Sequence, residues 1–123
     1  GHELPIDDRY EVLGGGDDWI MVREIGLQAR MRMARRGVRA FVSARQKPDG
    51  RWVYTICRKS AYVWWFPVPE ICVHLNTDEL EEGYFGGGDI VFGNARGDGS
   101  TRDPEQITSV INAYLHDHNL RAP

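Results

Sequence analysis

Residues 38–58 read VRAFVSARQKPDGRWVYTICR, and the fold is decided there. Val38, Ala40, Val42 and Ala44 alternate with Arg39, Phe41, Ser43 and Arg45, the period of a strand whose two faces meet different surroundings. Lys47-Pro48-Asp49-Gly50 then supplies a turn, with proline and glycine where turns use them. The return strand, Arg51 to Arg58, sets Trp52, Tyr54 and Ile56 on one face and Val53, Thr55 and Cys57 on the other. Both segments are rich in β-branched and aromatic residues, so the spacing predicts an antiparallel hairpin.

Upstream of the hairpin, Gly37 suits a helix C-terminus, and Asp17 or Asp18 can cap a helix over Trp19 to Arg36. At 100° per residue, Trp19, Val22, Ile25, Ala29 and Met33 form one apolar face, while Ile20, Leu27, Met31 and Ala34 form a second. Gly14, Gly15 and Gly16 read as a hinge, which makes residues 1–16 a tail or interdomain linker and 17–123 a single domain. Downstream, Pro67-Val68-Pro69-Glu70 is a good helix entry, and a short helix is expected from Pro69 to Leu80. Gly86-Gly87-Gly88-Asp89 leads into a strand over Ile90 to Arg96. Asp103, Pro104 and Gln106 provide the cap, first position and capping box of a last helix striped by Ile107, Val110, Ile111, Tyr114 and Leu115. The expected fold is α+β, a small mixed sheet built around the hairpin with helices packed on it, in the order α-β-β-α-β-α.

A chain of 123 residues, 41% hydrophobic and 27% charged, has room for one core and is far from the composition of disordered chains. Its richest apolar stretch, Tyr62 to Phe66, is stopped by Pro67 and Pro69, so a membrane span is excluded. Two cysteines, Cys57 and Cys72, provide neither a disulfide framework nor a zinc site, and a cytoplasmic setting is expected. Gly1 and His2, with no initiator methionine, read as an artificial scar on a piece of something longer. The net charge of -3 is unevenly spread: the window from Arg23 to Lys59 holds 11 basic against two acidic residues, and the remainder holds four basic against 16 acidic. That window can draw a phosphate-bearing ligand, or it can be a helix face folded against acidic partners.

Three groupings could carry chemistry. Gly86, Gly87 and Gly88 lack side chains and can let backbone amides approach an anion, although the triplet is neither a P-loop nor a dinucleotide fingerprint. Arg58, Lys59 and Ser60 end the hairpin with a guanidinium fork, a mobile charge and a hydroxyl. Trp52, Tyr54, Trp64, Trp65 and Tyr84 could stack bases, or fill the core. No metal or nucleophile constellation stands out, and whether the chain is an enzyme is left open: Cys57 and Cys72 read as buried, and His116-Asp117-His118 ends the last helix, where 116 and 118 diverge by about 200°.

From Arg39 onward the arrangement resembles the C-terminal substrate-binding domain of the DHH phosphoesterase superfamily, the DHH-associated domain. There, a strand with an Arg-Ser element is followed by a short helix, a glycine-rich loop ending in histidine, a strand and a closing helix. Arg58-Lys59-Ser60, the Pro69 helix, Gly86-Gly87-Gly88-Asp89 and Ile90 to Leu115 stand in those places, with Asp89 at the histidine position and Lys59 inserted between Arg58 and Ser60. The resemblance implies a phosphate- or nucleotide-binding module whose ligand is a phosphorylated small molecule or short oligonucleotide. Hydrolysis would belong to a separate N-terminal catalytic domain holding manganese, with no cofactor in this chain. Arg58, Lys59, Ser60, Gly86, Gly87, Gly88 and Asp89 are then expected to converge on one cleft with Arg96 lining it, and Arg58→Ala to weaken nucleotide binding with little effect on stability. The alternative is a non-enzymatic interaction or inhibitor domain that uses the arginine-rich helix and the aromatics.

Overall fold

A computed structural model describes residues 5–77, 85–89, 91–94 and 99–123. The hairpin forms as the alternation requires: β3 (Ala40–Gln46) and β4 (Trp52–Arg58) pair antiparallel in unbroken register from Ala40 opposite Arg58 to Gln46 opposite Trp52. The turn closes through Lys47 N–H to the Arg51 carbonyl at 2.8 Å and Gly50 N–H to the Lys47 carbonyl at 2.9 Å. The hairpin lies inside a six-stranded mixed sheet. Around it stand β1 (Tyr10–Gly15), β2 (Ile20–Glu24), β5 (Gly86–Gly87) and β6 (Val91–Gly93), in the order β1-β2-β3-β4-β6-β5. Helices α1 (Ala29–Arg35), α2 (Val68–Asn76) and α3 (Pro104–Asp117) complete the domain. The class is α+β, as expected, and the order α1-β3-β4-α2-β6-α3 is retained, with two strands added before it and the short β5 inserted.

The added strands correct two expectations. Tyr10–Gly15, read as linker, is the edge strand β1, and the helix expected over Trp19 to Arg36 is instead β2, a loop and α1, with β2 running parallel to β3. The unit β2-α1-β3 is thus a parallel crossover, and a strand of that kind is buried on both faces, so its apolar run Ile20-Met21-Val22 imitates a two-faced helix. Gly26 breaks the helix: a side chain there would collide with Asp7. Gly15 is in the strand because its φ of +133° and a Cβ 2.5 Å from the Trp19 carbonyl admit no other residue easily. Nearby, α3 comes so close to β1 that a Cβ at Gly14 would stand 2.7 Å from the Thr108 hydroxyl. Asn112 fastens this contact, accepting from Trp19 Nε1 at 2.8 Å and donating to the Gly15 carbonyl at 3.0 Å.

Alternation in β3 and β4 creates two layers of packing. Ala40, Val42, Ala44, Tyr54 and Ile56 face the main core, which α2 fills with Val68, Ile71, Cys72 and Leu75 and α3 with Ile107, Ile111 and Leu115. Tyr54 and Trp65, candidates for base stacking, are buried in this core. On the opposite face Val22, Val53 and Cys57 are buried as well, beneath α1 with its Ala29 and Met33. The capping box of α3 forms as read, Asp103 accepting from Gln106 N–H at 2.9 Å and Gln106 accepting from Asp103 N–H at 2.8 Å. Helix α2 ends at Asn76 and β6 covers only Val91–Gly93; the rest of the segments expected there, 78–80, Ile90 and 95–96, falls outside the described residues. No helix among the described residues is long and apolar enough to cross a membrane. Ile56, fully buried in the middle of the sheet, sets the scale of core stabilisation: Ile56→Ala is expected to lower unfolding free energy by about 2–5 kcal/mol, measured by urea denaturation.

Candidate functional site

The register that places Ala40 and Ile56 in the core also carries Arg58 to the core face at the last pair of the hairpin. A guanidinium there needs partners, and it has them. Arg58 Nε donates to the Asp89 carbonyl at 3.0 Å, Nη2 to the Asp89 carboxylate at 2.8 Å, and Nη1 to the Val63 carbonyl at 3.3 Å. The side chain is 7% exposed, whereas Asp89 is 63% exposed. Arg58 therefore joins the glycine segment to the loop after β4, and its fork is turned to the protein. Asp89, at the position where the resembled family carries histidine, holds that fork.

The remaining candidate residues divide around this junction. Lys59 N–H pairs with the Arg39 carbonyl at 2.8 Å, and its residue is exposed on a cavity of about 300 Å³ lined also by Arg30, Arg39, Phe41 and Gly37. The Ser60 hydroxyl accepts from Tyr62 N–H at 3.2 Å, so it shapes a turn. Gly86 and Gly87 pair with β6, and Gly88 N–H donates to the Val91 carbonyl at 2.9 Å. A Cβ at Gly86 or Gly88 would meet nothing within 4 Å, so packing among the described residues does not require glycine at either. The expected single cleft is thus two adjoining features, the Arg58–Asp89 junction beside the glycine edge and a cavity lined by Arg30, Arg39 and Lys59, with Arg58 bordering both. Arg96 lies outside the described residues.

Most of the basic window is neutralised within the molecule. Arg23 pairs with Glu11 at 2.8 Å, Arg30 with Glu24 at 3.1 Å, and Asp8 takes Arg32 at 2.5 Å and Arg35 at 4.0 Å. Asp7 pairs with Arg9 at 2.9 Å. Hydrogen bonding from Arg9 holds the Asp7 carboxyl down at about 2, and the Arg32 hydrogen bond lowers Asp8. Two cations remain beside the cavity: among the described residues no carboxylate pairs with Arg39 or Lys59. The Arg39 guanidinium instead lies over the Trp65 ring at 5.9 Å. Arg39 also borders a second cavity of about 330 Å³, shared with Arg36, Asp17, Asp18 and Trp65. Sequence reasoning passed over Arg39 because nothing in its spacing tells an unpaired arginine from a paired one.

Thiol and metal chemistry find little footing. Burial pushes the Cys57 thiol up to about 11 and raises Cys72 further, leaving both protonated at neutral pH. Among the described residues no three His, Cys, Asp or Glu side chains gather as metal ligands would. His116 and Asp117 are highly exposed at the end of α3, and His118 Nδ1 lies 2.9 Å from the Tyr114 carbonyl. In comparisons with known proteins the chain matches no family model, and no curated protein or solved structure resembles it.

Because Arg58 is buried with three protein acceptors, the expectation that Arg58→Ala leaves stability nearly unchanged does not survive. The substitution is expected to cost about 1–3 kcal/mol, read as a lower urea midpoint, since it removes a buried guanidinium's three hydrogen bonds and the Asp89 carbonyl loses its Arg58 donor. A second outcome concerns acid. The folded-state values of Asp7 and Asp8 are depressed, so their contribution is complete above the unfolded value of 3.8 and is lost as pH falls through the lowered folded values, about 2 for Asp7. The stability gap between the protein and its Asp7→Asn/Asp8→Asn variant should therefore close over that interval in pH-dependent melting.

Proposed function

We propose that this chain is a phosphate-binding module, and that its ligand's anionic group occupies the cavity between α1, the start of β3 and the end of β4. The observation that carries the reading is the pair Arg39 and Lys59, two cations with no carboxylate partner among the described residues, on a cavity whose lining contains no acidic residue. Elsewhere in the basic window Arg23, Arg30, Arg32, Arg35, Lys47 and Arg58 each meet a carboxylate, and Arg36 lies against Tyr10, so what distinguishes Arg39 and Lys59 is that they share one concavity with no acid in its lining. Arg30, held by Glu24 and resting 5.2 Å over Phe41, adds a fixed third charge on the wall. The site differs from the one expected around the Arg58 fork, which is occupied by protein acceptors, although Arg58 and Lys59 both line the cavity.

The order of strand, short helix, glycine segment, strand and closing helix remains compatible with the substrate domain of a DHH phosphoesterase. In that setting the module would hold a phosphorylated ligand for metals carried by a separate catalytic domain, and this chain would supply recognition and no hydrolytic step of its own. A protein-interaction role has one observation in its favour: Leu27 is 97% exposed, with Ile25 and Met31 also exposed around the β2–α1 junction.

Titration with inorganic pyrophosphate separates the readings. Binding should weaken as salt is raised, and Arg39→Ala and Lys59→Ala should each reduce affinity by about tenfold or more, the scale of a charge-assisted hydrogen bond. Leu27→Ala should leave it unchanged. Affinity that ignores both cation substitutions would overturn the proposal.

A further inference from the structure

Helices α2 and α3 pack against each other over the main core, and neither contains a lysine or an arginine. They belong to the acidic part of the chain, outside the window from Arg23 to Lys59. Ile71, Cys72 and Leu75 of α2 and Ile107, Ile111 and Leu115 of α3 are buried. On the solvent side a groove of about 440 Å³ is lined by Glu70, His74, Tyr114 and His118, together with Pro69 and Val73.

Three of these side chains are rings in contact. Tyr114 meets His74 with centroids 5.0 Å apart at 40°, and His118 at 4.2 Å and 29°. The first contact joins the two helices. The second joins nothing, since both rings stand at the end of α3, and it extends the wall of the groove toward solvent. His118 is held there, its Nδ1 lying 2.9 Å from the Tyr114 carbonyl.

Glu70 stands one helical turn before His74 and lines the same groove. Among the described residues no cation pairs with its carboxylate. Its charge reaches across to α3: burial, aided by the Glu70 carboxylate, raises the Tyr114 hydroxyl above its ordinary value. Val73, 71% exposed, adds an apolar wall. An unpaired carboxylate beside a row of rings favours a positive ligand, because the electron-rich ring faces attract cations. A metal ion needs a cluster of hard donors, and among the described residues no three His, Cys, Asp or Glu side chains gather as one. An ammonium wrapped in methyl groups suits the groove better, since its methyls pack on rings and valine while its charge meets Glu70.

We infer that the groove between α2 and α3 binds a trimethylammonium group, packed on His74, Tyr114 and His118 and neutralised by Glu70. The groove shares no lining residue with the Arg39–Lys59 cavity, so the inference does not depend on the anion reading. The group can arrive on a free molecule such as choline or on a methylated lysine side chain, with the same chemistry.

The test titrates three probes against the full chain, read by shifts of the tyrosine and histidine ring protons at about pH 8, where an imidazole is an uncharged ring. The probes are choline, acetyl-trimethyllysine amide, and the neutral isostere in which carbon replaces the nitrogen of choline. At least one of the two cations should bind about tenfold or more tighter than the isostere, and the tighter of them identifies the source. Glu70→Gln and His118→Ala, both at exposed positions, should each weaken the cation severalfold and leave the isostere unchanged. Equal affinity for cation and isostere would mean a merely apolar groove and would overturn the inference. Cation binding indifferent to either substitution, or no ring shift with either cation at about 10 mM, would do the same.

Discussion

Seven consecutive residue pairs lock β3 to β4, and because side chains alternate, that register assigns every neighbouring group its side of the sheet. Ala40, Val42 and Ala44 are small, so α2 and α3 can bring Ile71, Leu75, Ile107 and Ile111 down onto Tyr54 and Ile56. Phe41, Ser43, Thr55 and Cys57 go to the other side, where Arg30 and Glu24 cover them and Ser43 donates to Glu24 at 2.6 Å. A slip of one residue would exchange these sets and leave no core. The same rule puts Arg58 on the apolar side at the hairpin's end, so that the chain must bring a carboxylate and two carbonyls to meet it. The positions of the glycine segment and of the aromatic loop follow from that need.

The parts of the fold that could be read from residue order are those whose cause is local. The period of two across 38–58, the proline and glycine of the turn and the reciprocal cap of Asp103 with Gln106 each act within a few residues. The parts that could not be read have distant causes. Gly14 is small because Thr108 approaches it, and Gly26 because Asp7 does, yet in sequence the first looks like a hinge and the second like one more position of a helix. Ile20-Met21-Val22 is apolar throughout because a parallel neighbour and layers on both sides surround it, a demand that helical spacing also satisfies.

The electrostatic reading divides in the same way. A surplus of positive charge from Arg23 to Lys59 is visible in composition, but its partial cancellation by Asp8 and Glu11 depends on β1 and its approach lying beside β2 and α1. Salt bridges of this exposed kind add little stability each. Their larger effect is on what the surface offers to others: they remove part of the field that the composition suggests, and among the cations left over Arg39 and Lys59 share a cavity without an acid in its lining. Arg58, the residue with the strongest claim from sequence, turns out to be a positioning residue that anchors the loop bearing Tyr62 and Trp64. Its neighbour Lys59 stays at the surface because strand alternation carries the next residue the other way.

The Asn112 carboxamide binds Trp19 and Gly15 across 93 and 97 residues, and the Asp18 carboxylate accepts from Ala122 N–H across 104. Contacts of such separation cannot begin to form until α3 has left the ribosome. The hairpin, whose partners lie within a few tens of residues of one another, can pair long before that. Until α3 arrives, β1 and β2 lack the helix that covers them, and a strand edge in that state is open to a neighbouring nascent chain. The glycines of β1 then have a use during folding as well: at its Gly14–Gly15 end the edge offers a wrong partner no side chain to hold during the wait.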